Sequence, residues 1–203
     1  GVLACNFAVP RRIRAGAARD HFLGFAAVNG YGEHFKAGGK VVKNVTGYDL
    51  CKLMAGSYGT LAVLEEVTIK VVPRPEEEAT LVLRGYDDRT AIAALADGLN
   101  SPNEVSAAAH LPPAVAARSG VPTVASTGFA ATALRIEGPG SSMSTRLGAL
   151  RALFAGRGQS LELRGADSRR CWREVAVVRP LLPVEDRVVW RLPVPPAEGP
   201  AVV

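Results

Sequence analysis

Pro73-Arg74-Pro75 sets the first limit on how this chain can fold. Proline lacks an amide hydrogen and has a fixed φ, so a Pro-x-Pro pair continues neither a helix nor a central strand. Composition changes across it. Before it, glycines punctuate short segments; after Glu76-Glu77-Glu78, strand-like and helix-like stretches alternate. The break is read as a boundary between one domain over residues 1–76 and a second over 77–203.

In the first domain, Gly24-Phe25-Ala26-Ala27-Val28 has the apolar run of a strand. Asn29-Gly30 turns it into a second short segment ending at Lys36. Residues 48–55 predict a short helix and 61–72 a long strand. In the second domain a strand over 79–83 leads to an Ala-rich helix over 87–99, capped by Asp87 or Asp88. Strands follow around 104–109, 123–126 and 132–137. A helix runs from Ser141 or Ser142 to Ala155 and stops at Gly156 and Gly158. A strand over 160–164, a helix starting near Asp167 or Ser168, and a strand over 188–194 complete the pattern. Mostly antiparallel alternation of this kind predicts an α+β layer.

Composition removes several function classes. A hydrophobic fraction of 48% suffices for a buried core, which sets disorder aside. The net charge of +5 is spread between arginines at 11, 12, 14 and 19 and others at 164, 169, 170 and 173. Neither group has interleaved aromatics or a sustained basic helix face, so nucleic acid is not the expected partner. No apolar run reaches the roughly 18 residues of a membrane span. Cys5, Cys51 and Cys171 are far apart, and His21, His34 and His110 stand at no zinc-ligand spacing from them. No metal site and no disulfide framework are expected, which fits a cytoplasmic location. The first residues, Gly1-Val2-Leu3-Ala4-Cys5-Asn6, have neither a signal peptide's charged start nor an initiator Met, and the chain reads as a piece of a longer polypeptide.

The chemistry lies between Gly38 and Val63. Glycines at 38, 39, 47, 56 and 59 permit close approach of the backbone or a positive φ. Lys40 and Lys43 add positive charge, and Asn44, Thr46, Tyr48, Ser57 and Thr60 add hydrogen-bond donors. Amides with cations suit a pyrophosphate, and donors beside apolar walls suit a flavin or an adenine. A glycine-punctuated surface loop would share this composition.

The run Gly39-Lys40-Val41-Val42-Lys43-Asn44-Val45-Thr46-Gly47-Tyr48-Asp49-Leu50, followed by residues 56–67 and by Lys70-Val71-Val72-Pro73-Arg74-Pro75, closely resembles the FAD-binding oxidases of the vanillyl-alcohol-oxidase (PCMH-type) superfamily. Within it the likeness is to the glycolate-oxidase FAD-binding subunits of E type. Residues 1–6 resemble the tail of the family's flavin loop, and Pro10-Arg11-Arg12 with residues 16–24 the segment that follows. Residues 134–138 and 189–195 are similar to the cap more loosely. The resemblance implies the second half of a PCMH-type FAD-binding domain followed by a ferredoxin-like α/β cap. It implies FAD as cofactor, with Gly1, Ala4 and Asn6 at the flavin or pyrophosphate. Arg19, Asp20, Lys43, Asn44, Gly47, Tyr48 and Asp49 would shape the flavin neighbourhood, and Gly59, Thr60 and Val63 would meet FAD through their backbones. Lys43 is the candidate for a cation that favours the anionic reduced flavin. The implied reaction is oxidation of a small 2-hydroxy acid such as glycolate. The implied partners are a sister FAD-binding catalytic subunit and an iron–sulfur subunit, with the complex docked peripherally at the inner membrane. No catalytic base is named.

Plainer roles compete at several positions. Arg19 and Asp20 could form a local ion pair, Asp49 could cap a helix with Tyr48 packed behind it, and Cys51 could fill an apolar helix face. Gly138-Pro139-Gly140, with Glu162 further on, is a weak nicotinamide-dinucleotide signal, since Met143 stands where a third glycine belongs. A different class remains open: a non-catalytic structural partner that docks a sister flavoprotein and holds no FAD itself.

Overall fold

The computed structural model describes residues 1–43, 47–182 and 188–202. The chain forms two compact units, Gly1–Arg74 and Pro75–Val203.

The first unit opens with two single-turn helices, α1 (Arg12–Ala15) and α2 (Ala18–His21). Strand β1 (Phe22–Asn29) lies between β2 (His34–Gly38) and β3 (Ala62–Ile69) in an antiparallel sheet. Asn29 makes the hairpin, its Oδ1 accepting from the amides of Tyr31 at 2.9 Å and Glu33 at 3.0 Å. The positive φ falls on Gly32 rather than on Gly30, so the turn is longer than the Asn-Gly pair predicts. Phe22, Phe25 and Ala27 of β1 bury against Cys51 and Met54 of α3 (Leu50–Met54), and Phe35 meets Phe25 edge-on at 5.5 Å.

The second unit runs β4 (Glu77–Arg84), α4 (Asp88–Asn100), β5 (Val105–Leu111), α5 (Pro113–Ala116), α6 (Pro122–Ala125), β6 (Ala131–Gly138), α7 (Gly140–Leu153), β7 (Ser160–Arg164) and α8 (Gly165–Ala176). Short 3-10 turns at Arg179–Leu181 and Pro196–Glu198 precede α9 (Gly199–Val202). The sheet order is β5-β6-β4-β7 and every neighbouring pair is antiparallel. This is the βαββαβ order of a ferredoxin-like layer, within an α+β chain.

Helices α4 and α7 cover one face of this sheet, with Met143 and Leu147 of α7 packed over Leu81, Leu83, Leu134 and Ile136. Helix α8 covers the other, with Cys171 and Trp172 over Val82, Ala133 and Leu163. Burial on both faces explains why residues 79–83 form an unbroken buried run instead of an alternating one. On the α8 side Thr80 Oγ1 accepts from Trp172 Nε1 at 2.7 Å and bonds Ser168 Oγ at 2.8 Å, which satisfies three buried polar groups.

Several elements differ from the sequence-based expectation. Residues 123–126 belong to α6, because Pro122 at its first position has the φ of a helix start and no amide to place in a ladder. Residues 188–194 form no strand and are exposed, being hemmed by Pro193 and Pro195. Asp87 caps α4 by accepting from the Thr90 amide at 2.7 Å. Helix α7 is capped by neither Ser141 nor Ser142; its first amide, Gly140 N–H, donates to the Glu76 carboxylate at 3.1 Å. That carboxylate occupies the positive helix end where a dinucleotide phosphate would have to sit. Glu162 is paired with Arg151 and Arg164, so the nicotinamide reading has neither of its parts in place.

Candidate functional site

The sequence-predicted residues of the first unit fall into two groups. In one, residues 1–6 coil back on themselves, with the Cys5 amide donating to Gly1 O and the Asn6 amide to Leu3 O, both at 2.9 Å. This turn is tied to the segment after α3. The Gly56 amide donates to Leu3 O at 3.2 Å and the Tyr58 amide to Ala4 O at 2.9 Å. The turn that holds Gly1, Ala4 and Asn6 is thereby joined to Gly56–Tyr58, the residues that lead into Gly59 and Thr60. Asn6 adopts φ 47, and its Oδ1 accepts the Arg19 amide at 3.0 Å. Thr60 folds over the turn, its hydroxyl donating to Ser57 O at 2.7 Å.

Left-handed backbone concentrates in this group: Gly56, Tyr58 and Gly59 have φ of 90, 56 and 77. A tyrosine pays for that conformation sterically, so Tyr58 marks a place where the fold imposes the turn. Around Gly59 a side chain would meet nothing within 4 Å. The sequence reading assigned Tyr58 no role; a large side chain between two such glycines was the available signal.

The second group lines a cleft of about 190 Å³ formed by Asp20, Phe22, Leu23, Gly38, Val41, Val42, Gly47, Tyr48, Asp49, Leu50, Lys52 and Lys70. Gly47 has φ 73 with open space where a Cβ would stand. Val41, Val42 and Tyr48 are exposed, Tyr48 to 95%. Asp49 caps α3, accepting from the Lys52 amide at 3.2 Å, but Tyr48 is not packed behind it. Lys52 Nζ donates to Arg19 O at 2.5 Å. The Asp20 carboxylate takes the Ala17 amide at 2.7 Å, and this bond, with help from Lys52, Arg12 and His21, holds its pKa below the ordinary aspartate value. Asp20 thus reaches back from the third position of α2 to satisfy the amide of the cap residue Ala17.

The structure does not place all predicted residues together. Gly1, Ala4, Asn6, Gly59 and Thr60 form the first group, and Asp20, Gly47, Tyr48 and Asp49 line the cleft. Arg19 joins the two through its backbone, its amide on Asn6 and its carbonyl on Lys52. Val63 is 68% exposed on β3, opposite Val28. Lys43 is exposed, and Asn44 and Thr46 lie outside the described residues.

No family model matches the chain. Over 81 residues it is 51% identical to glycolate oxidase subunit GlcE of Escherichia coli (strain K12), covering 40% of this chain and 23% of that protein. An uncharacterized FAD-linked oxidoreductase of Mycobacterium tuberculosis (strain CDC 1551 / Oshkosh) is 39% identical over 103 residues, 49% of this chain and 22% of that protein. The chain therefore spans less than a quarter of the length of these relatives. Among solved structures, alkyldihydroxyacetonephosphate synthase superposes with a TM-score of 0.61 at 15% identity, covering 87% of this chain and 35% of that one, a likeness of fold alone. No helix among the described residues is long and apolar enough to cross a membrane. Over 40–49% of its length, the chain is thus similar in sequence to FAD-linked oxidoreductases, a glycolate oxidase subunit among them.

Proposed function

We propose that this chain is part of an FAD-dependent subunit of a 2-hydroxy-acid oxidase or dehydrogenase complex, glycolate being the first candidate substrate. The observation that carries the reading is the pair of left-handed glycines, Gly47 and Gly59, each with no described residue within 4 Å of where a side chain would project. Glycine there leaves room for a ligand to approach the backbone. The donor set suits a flavin dinucleotide. Lys40 and Lys43 are exposed cations for a pyrophosphate or an anionic flavin, and Val41, Val42 and Tyr48 offer an uncovered apolar wall.

In this reading Gly1, Ala4, Asn6, Gly59 and Thr60 hold one end of the cofactor by their backbones. Asp20, Lys43, Gly47, Tyr48 and Asp49 flank the other, Asn44 lies between them in sequence, and Val63 and Arg19 complete the surround. Bound FAD supplies the two-electron acceptor for oxidation of the hydroxy acid to the oxo acid. Asp20, held by the Ala17 amide and facing Lys52, fixes charge at the cleft and does not act as a base. The domain over residues 77–203 serves as the cap. Electrons pass to an iron–sulfur partner within a complex that includes a sister flavoprotein, in the cytoplasm and docked at the inner membrane through that complex.

The test is to co-express the full-length parent protein with its partner subunits and record the visible spectrum of the purified subunit. Flavin absorption is expected. A colourless protein that still binds the sister subunit would overturn the reading in favour of a structural partner. In the same preparation Lys43→Met lowers flavin affinity or the flavin reduction potential; if both stay unchanged, Lys43 is not the cation.

A further inference from the structure

On the outer side of the second unit a cavity of about 430 Å³ is lined by Ala166, Arg169, Arg170, Arg173, Glu174, Val177 and Arg179. The helix itself explains how three of the four guanidinium groups come to share it. Ser168, Cys171, Trp172 and Val175 stand at helical spacing and face the sheet, which leaves Arg169, Arg170 and Arg173 outward. The chain then leaves α8 through Val178 at φ 49 and ψ 30, a left-handed turn that a β-branched residue adopts only under constraint. That turn places Arg179 on the same concavity.

Among the described residues, little of this charge is neutralised. Glu174 is the one acid among the described lining residues, and its carboxylate is committed inward. It accepts from Ser119 Oγ at 2.9 Å and from the Gly120 amide at 3.0 and 3.1 Å, with Arg170 Nε at 3.5 Å. Gly120 is needed for this: a Cβ there would lie 2.4 Å from the Glu174 oxygen. Arg169, Arg173 and Arg179 form no ion pair among the described residues. Planar guanidinium forks with unused donors around a concavity of ligand size match an oxyanion that carries more than one negative charge.

We infer that this cavity binds a small dianionic ligand, a phosphoryl compound or a dicarboxylate, through Arg169, Arg173 and Arg179. The inference concerns residues 119–179 of the second unit and does not rest on the flavin reading.

The experiment is calorimetric titration of the full chain with inorganic pyrophosphate and, separately, with malonate, at constant ionic strength set by chloride. Binding of either anion is expected, and which of them binds distinguishes the phosphoryl from the dicarboxylate source. Arg169→Gln combined with Arg173→Gln weakens that binding roughly tenfold or more, since each lost bond to a charged group is worth about that factor. Arg169→Lys with Arg173→Lys restores only part of the loss, because a point charge cannot replace a fork. Arg89→Gln, at an exposed arginine on α4 outside this lining, leaves it unchanged. Far-UV circular dichroism confirms that each variant is folded. Equal binding by the Arg169/Arg173-to-Gln variant, an equal loss on Arg89→Gln, or no binding of either anion beside capture of a poly-glutamate peptide would each overturn the assignment.

Discussion

At Gly38 the chain leaves β2 with φ 72, and a Cβ there would lie 2.2 Å from Leu23 O, 2.7 Å from Gly24 Cα and 3.0 Å from Cys51 Sγ. Two of those neighbours are backbone of the central strand, which cannot move aside without breaking the sheet. Gly38→Ala therefore combines left-handed strain with overpacking, and is expected to destabilise the chain by about 2–4 kcal/mol. Gly30→Ala, in the same hairpin, meets nothing within 4 Å and should stay within about 0.5 kcal/mol of wild type. Urea unfolding of both variants checks this; equal midpoints would show that β1 and β2 do not meet as described. A glycine in a sequence announces freedom, but Gly38 and Gly30 look alike until their neighbours are known.

Helix α8 shows what an element does beyond covering a sheet. Its Trp172 brings an indole N–H into the core, where Thr80 on β4 accepts it and Ser168 completes the set. Trp172→Phe keeps most of the apolar area but removes a buried donor, so a loss of about 1–3 kcal/mol is expected. A loss no larger than a surface substitution gives, measured by urea unfolding, would mean that the hydroxyl pair is satisfied without the indole. Strands β4, β6 and β7 and helices α4 and α7 were legible in the sequence, because their apolar runs are long and their ends carry caps or glycines. The single-turn helices α1, α2, α5 and α6 were not, since four residues hold too little of a period to read. Residues 188–194 carry strand-forming side chains, yet only a neighbouring strand can make them one. At the candidate site, the turns at Gly47 and Gly59 were legible as glycines. The link from residues 1–6 to Gly56 and Tyr58 runs through backbone atoms, which leave no mark on the side-chain sequence.

Over the whole molecule, ionisable groups set a pH window for stability. His110 on β5 bonds Thr132 Oγ1 at 2.9 Å and Asp88 at 3.0 Å. Burial pushes its pKa below the usual 6.5, although Asp88 and Asp87 pull it upward. The unfolded chain then binds the proton more readily, so stability is full above 6.5 and falls as pH drops through the histidine range. On the alkaline side, burial raises Cys171 from 9.0 to about 11 and raises Cys51 and Tyr86 as well. The folded chain holds those protons longer, so stability falls again as pH rises past 9.0. A plateau between these limits is expected from urea midpoints across pH. In His110→Gln the decline just below 6.5 disappears while the alkaline decline stays. A variant that keeps the acid step would move its origin to another group.

Strand β3 lies at the rim of the three-stranded sheet and turns Val63, Val67 and Ile69 to solvent, with Val71 and Val72 continuing beyond it. A rim of peptide groups that no described strand pairs with, beside branched aliphatics, is a template on which any extended segment can add itself as a further strand. Handling of this polypeptide in dilute solution is thus bound up with what lies along that rim. Once a native neighbour occupies it, self-association loses its seed; while it is bare, each molecule offers the next a place to zip on.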